Sequence, residues 1–126
     1  MTHLTADGLA EFLRCHPRAG VIDVRFEYER DAGHIPGDHH VPWLTAEWEP
    51  DPGFLEQVLQ HVSRDDYVVV ICRCGHRSCD AAALLETAGF GHVYNLLGGY
   101  EDLESLRRVD SAMNPALWPS DGCCGA

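Results

Sequence analysis

The chain has 126 residues, enough for one domain with a core of its own and too few for two ordinary domains. Nine basic residues, all arginine, stand against twenty acidic ones for a net charge of -11, which makes nucleic acid and anionic membrane poor partners. No apolar stretch approaches the roughly 20 residues that span a bilayer, and the N-terminus lacks the basic start and long apolar run of a secretory signal, so a soluble cytoplasmic protein is expected.

In chain order, Leu4, Leu9, Phe12 and Leu13 recur at near-helical spacing and predict a helix over Thr5 to Arg14, followed after Gly20 by a short strand, Val21 to Val24. Phe26 to Asp31 reads as a helical turn, Gly33-His34-Ile35-Pro36-Gly37 as a bend, and Val41 as the start of a brief extended piece that Pro42 confines to a sheet edge or strand end. Phe54, Leu55, Val58 and Leu59 mark a second helix, Tyr67 to Ile71 a central strand, Ser78 to Ala88 a third helix stopped by Gly89, and Val93 to Leu96 another strand. Gly98-Gly99 turns into a last helix near Glu101 to Val109. The alternation predicts an open parallel sheet with helices on both faces, a single domain over residues 1 to 110, and an irregular tail over 111 to 126.

The run Val68-Val69-Val70-Ile71-Cys72-Arg73-Cys74-Gly75-His76-Arg77-Ser78 is the most informative part of the chain. A buried strand there delivers a thiol into a short glycine-containing loop that opens a helix, with Ser78 as the expected cap. The carboxyl ends of strands in open α/β sheets form the ligand crevice, and loop N–H groups with the helix dipole favour a thiolate there. The bland alternative is that Cys72 is a small buried hydrophobe. Six cysteines without an export signal read better as reduced, active thiols than as a disulfide framework. A zinc site from Cys72, Cys74, Cys79 and His76 does not match the paired spacing of structural zinc knuckles, so no metal is expected. Adjacent His39 and His40 would point to opposite faces of a strand and share no ion.

Asp23-Val24-Arg25, Gly33-His34-Ile35-Pro36-Gly37, the Cys72 to Ser78 loop and Asn95-Leu96-Leu97-Gly98-Gly99-Tyr100, taken in that order, resemble the rhodanese sulfurtransferases, in the form of a stand-alone single domain. The resemblance implies a persulfide mechanism: Cys72 takes sulfur from a small anionic donor such as thiosulfate and passes it to cyanide, a thiol or a protein acceptor. The sulfur is carried covalently, so no cofactor is implied. The loop Arg73, Cys74, Gly75, His76, Arg77 and Ser78 would bind the donor, with Gly75 permitting the inward turn and the two arginines supplying charge. Asp23, Arg25 and His34 are expected to support the loop structurally. Cell-cycle phosphatases and arsenate reductases of this fold resemble a longer loop, with five residues between Cys and Arg. Here four separate Cys72 from Arg77, which favours transfer of a single sulfur atom.

Cys74 and Phe26 depart from that pattern, Phe26 standing where the segment after Asp-Val-Arg is usually acidic, and residues 110 to 126 lie outside the resemblance. Cys74 stands where serine or a similar residue is frequent and can attack the persulfide, either accepting the sulfur or leaving a Cys72-Cys74 disulfide. Cys123 and Cys124, beside Gly122 and Gly125, form a vicinal pair that can act as accessory thiols. A persulfide carrier or a regulatory binding module with little small-molecule turnover is the competing reading.

Overall fold

A computed structural model describes residues 1–109. The expected tail over 111 to 126, with Trp118, Cys123 and Cys124, lies outside the described residues.

The elements are β1 (Thr2–Leu4), α1 (Ala6–Cys15), β2 (Gly20–Asp23), α2 (Glu27–Asp31), β3 (His39–His40), α3 (Phe54–Leu59), β4 (Tyr67–Ile71), α4 (His76–Thr87), β5 (His92–Leu96) and α5 (Gly99–Val109). All pairings are parallel, in the order β1-β5-β4-β2-β3. The expected α/β class and open parallel sheet are therefore present. Strand β4 is central, with Val69 opposite Val21 of β2 and Tyr94 of β5.

The period-two alternation of β4 divides its side chains between two cores. Val68 and Val70 pack with Phe54, Val58, Ala81, Ala82 and Leu85, so α3 and α4 cover one face. Val69 and Ile71 pack with Leu9, Leu96, Tyr100 and Leu103, so α1 and α5 cover the other. A continuous β-branched run suits a strand covered on both sides, and each fully buried valine contributes about 1.5–3 kcal/mol relative to exposure. The alanines of α4 let that helix lie close against the sheet.

The structure corrects three local expectations. Strand β1 was not anticipated: it has three residues and one strongly apolar side chain, and it is held as an edge by parallel pairing with β5. Strand β3 begins at His39 rather than Val41, although the chain continues alongside β2, with Val41 and Trp43 N–H donating to Asp23 and Val24 carbonyls. Helix α4 starts at His76, and the residue preceding it is Gly75, with φ 101°. Ser78 is thus inside the first turn and makes no cap.

Strands β2 and β4 are neighbours, yet β4 leads through α4 to β5 on one side, whereas β2 leads to β3 on the other. Their carboxyl ends therefore meet at a topological switch point, the usual location of a crevice in such sheets.

Candidate active site

Cys72 lies immediately beyond β4 at this switch point and is 0% exposed. The chain turns back sharply enough for the Gly75 N–H to donate to Cys72 Sγ at 2.9 Å, a turn that needs the left-handed φ of glycine. Ser78 Oγ lies 3.4 Å from the same sulfur and within hydrogen-bond reach of Asn95 Oδ1 from β5, so its single proton can serve either acceptor. The sulfur thus meets one backbone donor and one hydroxyl, both suited to a developing negative charge.

The neighbouring loop carries this geometry on its back. Tyr100 N–H donates to the Cys72 carbonyl at 2.8 Å, and Glu101 N–H to the Arg73 carbonyl at 3.0 Å. The first amides of α5 therefore find their acceptors in the cysteine loop. Gly99 permits the approach: a Cβ there would sit 2.5 Å from the carbonyl oxygens of both Cys72 and Arg73, at φ +59°.

Across the crevice, beyond β2, Arg25 is buried and paired with Asp23, Nε to Oδ1 at 2.9 Å and one terminal nitrogen to Oδ2 at 3.0 Å. It also donates to the Gly33 carbonyl at 2.7 Å, and its guanidinium lies 4.3 Å from the Tyr100 ring centre. Arg30 bridges Asp23 and Asp38, and His34 Nδ1 is 3.1 Å from Asp38 Oδ1. Burial works to raise the Asp23 carboxyl, but the hydrogen bonds and charge of Arg25, helped by His40, hold it below the ordinary value. His40 Nε2 meets the Arg25 carbonyl at 2.8 Å, while His39 stacks on His61, so the adjacent histidines have separate partners.

The two loop arginines face carboxylates rather than an open cradle. Arg77 makes a two-pronged pair with Glu29, both contacts 2.8 Å, and lies 5.5 Å from the Phe26 ring centre. The Glu29 hydrogen bond raises the Arg77 guanidinium against burial, and the Cys72 and Cys74 thiols act in the same direction. Burial opposes ionisation of Glu29, but Arg77, the Phe26 N–H and Arg25 together hold its carboxyl below the ordinary value. Arg73 is exposed and pairs with Glu101 at 2.8 Å. A pocket of about 220 Å³ lies between these elements, lined by Arg25, Glu29, Arg73, Tyr100, Glu101 and Glu104 among others. Cys74 and His76 are exposed, and Cys74 Sγ is 3.4 Å from His76 Nδ1.

Asn95 stands in the last of the four motifs without an expected site role, and Glu29 has no expected role either. Asn95 carried a readable signal, a polar residue in an otherwise apolar strand end. Glu29 carried none, because its partner is 48 residues away. Among the described residues, no group of three or more His, Cys, Asp or Glu side chains is placed to hold a metal ion, and no helix is long and apolar enough to cross a membrane.

A rhodanese-like domain model matches residues 5–106. The chain belongs to the rhodanese-like family. Thiosulfate sulfurtransferase 16, chloroplastic, of Arabidopsis thaliana is 38% identical over 82 residues, covering 63% of this chain and 68% of that protein. Thiosulfate sulfurtransferase GlpE of Ectopseudomonas mendocina (strain ymp) is 32% identical over 102 residues, covering 74% of this chain and 85% of that one. The crystal structure of Rv0390 from M. tuberculosis superposes with a TM-score of 0.69 at 30% identity, covering 79% of each chain. These likenesses support a sulfurtransferase family for the chain and agree with the fold.

Proposed function

We propose that this rhodanese-like protein is a sulfurtransferase that carries sulfane sulfur as a Cys72 persulfide, with thiosulfate as a competent donor. The observation that carries the reading is the Cys72 sulfur held at a strand end between the Gly75 N–H and the Ser78 hydroxyl. Relatives named as thiosulfate sulfurtransferases support the donor class.

In the first half-reaction the Cys72 thiolate attacks the outer sulfur of thiosulfate. A Cys72 sulfur–sulfur bond forms, the sulfur–sulfur bond of thiosulfate breaks, and sulfite leaves with the electron pair. In the second, a thiophilic acceptor attacks the outer sulfur and Cys72 departs as thiolate, stabilised by the same two donors. The four-residue spacing from Cys72 to Arg77 makes a short loop, which suits a single transferable sulfur atom better than a phosphate-sized oxyanion. Asp23, Arg25 and His34 fix the opposite wall, and a reducing cytoplasm would keep the thiol available.

The test is steady-state thiocyanate formation from thiosulfate and cyanide by wild type and Cys72→Ser. Turnover that vanishes with Cys72 supports the reading; turnover independent of Cys72 refutes it. One observation favours a second reading, a carrier loaded by a partner protein: Arg73 and Arg77 both face carboxylates, which weakens their pull on a small dianion. That reading predicts negligible thiosulfate turnover together with Cys72 loading by a protein persulfide.

A further inference from the structure

We propose that Cys74, paired with His76, forms a second sulfur-carrying site that takes the sulfane sulfur from Cys72 and delivers it to an alkyl thiol in solution. The inference rests on the Cys72 persulfide reading above and names the exit route from that site.

The two thiols, two residues apart, have opposite environments. Cys72 is 0% exposed, with its sulfur committed to Gly75 and Ser78. Cys74 is exposed, and its sulfur lies 3.4 Å from Nδ1 of the His76 imidazole. A thiol within reach of an imidazole is the arrangement of a nucleophile with its base. Both thiols also act on the charge of Arg77, so both lie within electrostatic range of one guanidinium.

Cys15 supplies the contrast. It too is exposed, but its thiol donates to Glu11 Oε2 at 3.4 Å, and that carboxylate pushes the thiol above its ordinary value. A carboxylate neighbour holds the proton on sulfur, whereas an imidazole neighbour can accept it. Of these two exposed thiols, the one with an imidazole neighbour is two residues from the buried nucleophile.

The transfer needs no oxidant or reductant. His76 accepts the Cys74 proton, and the Cys74 thiolate attacks the outer sulfur of the Cys72 persulfide. A sulfur–sulfur bond forms on Cys74, the one on Cys72 breaks, and Cys72 leaves as thiolate to regain a proton. An alkyl thiolate then attacks the outer sulfur on Cys74, yielding an alkyl persulfide and the free Cys74 thiol. Cyanide, smaller than thiosulfate, can meet the sulfur in the Cys72 crevice, whereas glutathione, a tripeptide larger than thiosulfate, meets it more readily on the exposed Cys74.

Arg73 lies between the two thiols, so trypsin separates the peptide Asp65–Arg73, carrying Cys72, from Cys74–Arg77. Full-length protein is loaded with thiosulfate, quenched with an alkylating agent and digested, and discharge is followed separately with glutathione and with cyanide. The expected result is added sulfur on both peptides in wild type and only on Asp65–Arg73 in Cys74→Ser. The ratio of glutathione discharge to cyanide discharge should fall about tenfold in Cys74→Ser. His76→Asn should slow glutathione discharge and flatten its pH profile. Sulfur confined to Asp65–Arg73 in wild type, with an unchanged discharge ratio in Cys74→Ser, overturns the relay and leaves the persulfide reading standing. No added sulfur on either wild-type peptide overturns both.

Discussion

On the β4 side of the crevice Cys72 is held largely by backbone: the Gly75 N–H on its sulfur, and the Tyr100 and Glu101 N–H groups on the carbonyls of Cys72 and Arg73. On the β2 side the same wall height is reached with charged side chains, Asp23, Arg25, Arg30 and Asp38 linked by ion pairs. The difference separates two tasks. Backbone donors stay fixed and leave the thiol free to change charge and covalent state, whereas the ion-paired wall has every strong group already committed and serves as a rigid frame. Arg77 and Glu29 join the two sides.

The largest effect expected from breaking this division is chemical. Cys72→Ser should lower sulfur transfer by a factor on the order of a thousand or more, with little change in melting temperature, since the hydroxyl can accept the Gly75 N–H but is a far weaker sulfur nucleophile. Steady-state assays beside thermal melts check this.

The framing side should respond in stability instead. Asp23→Ala leaves Arg25 buried without its carboxylate and should cost about 3–5 kcal/mol, read by denaturant unfolding. A smaller loss with retained activity would show that the wall is not the frame described. Gly99→Ala tests the backbone side. Its Cβ would meet two carbonyl oxygens at 2.5 Å in a left-handed conformation, so a loss of about 1–3 kcal/mol is expected, with transfer activity falling because the clash moves the Cys72 loop.

A subtler effect comes from acid. Asp23 and Glu29 have folded-state carboxyls below their ordinary values, so the unfolded chain binds protons more readily. Their stabilisation is fully present above the unfolded carboxyl range, about pH 4, and is lost as pH falls through their folded values. Unfolding free energy should thus be insensitive to these two groups near neutrality and should fall in acid. Asp23→Asn should reduce that acid-dependent part, which pH-resolved denaturant melts measure. The mildest change expected is Arg77→Lys, which exchanges a two-pronged pair for a single contact and should cost about 1 kcal/mol or less.

The same contrast explains what could be read from the sequence. The β4 side is local: four apolar β-branched residues, a cysteine, a glycine and a helical Ala-Leu pattern follow one another, so strand, loop and helix were legible in order. Even there Ser78 was misread, because a serine near a helix start suggests a cap, whereas the left-handed Gly75 starts the helix earlier and turns Ser78 inward toward Cys72 and Asn95. On the β2 side the Asp23–Arg25 pair was legible from adjacency, but Arg30–Asp38 and Arg77–Glu29 depend on how distant segments meet. The short edge β1 was invisible because its stability comes from hydrogen bonds to β5 rather than from its own side chains.

The central claim is tested most directly by the intact mass of reduced, desalted protein after thiosulfate. One added sulfur, about 32 Da, absent in Cys72→Ser and removed by cyanide, is the result predicted. An adduct that persists in Cys72→Ser, or no adduct on wild type, would contradict the account.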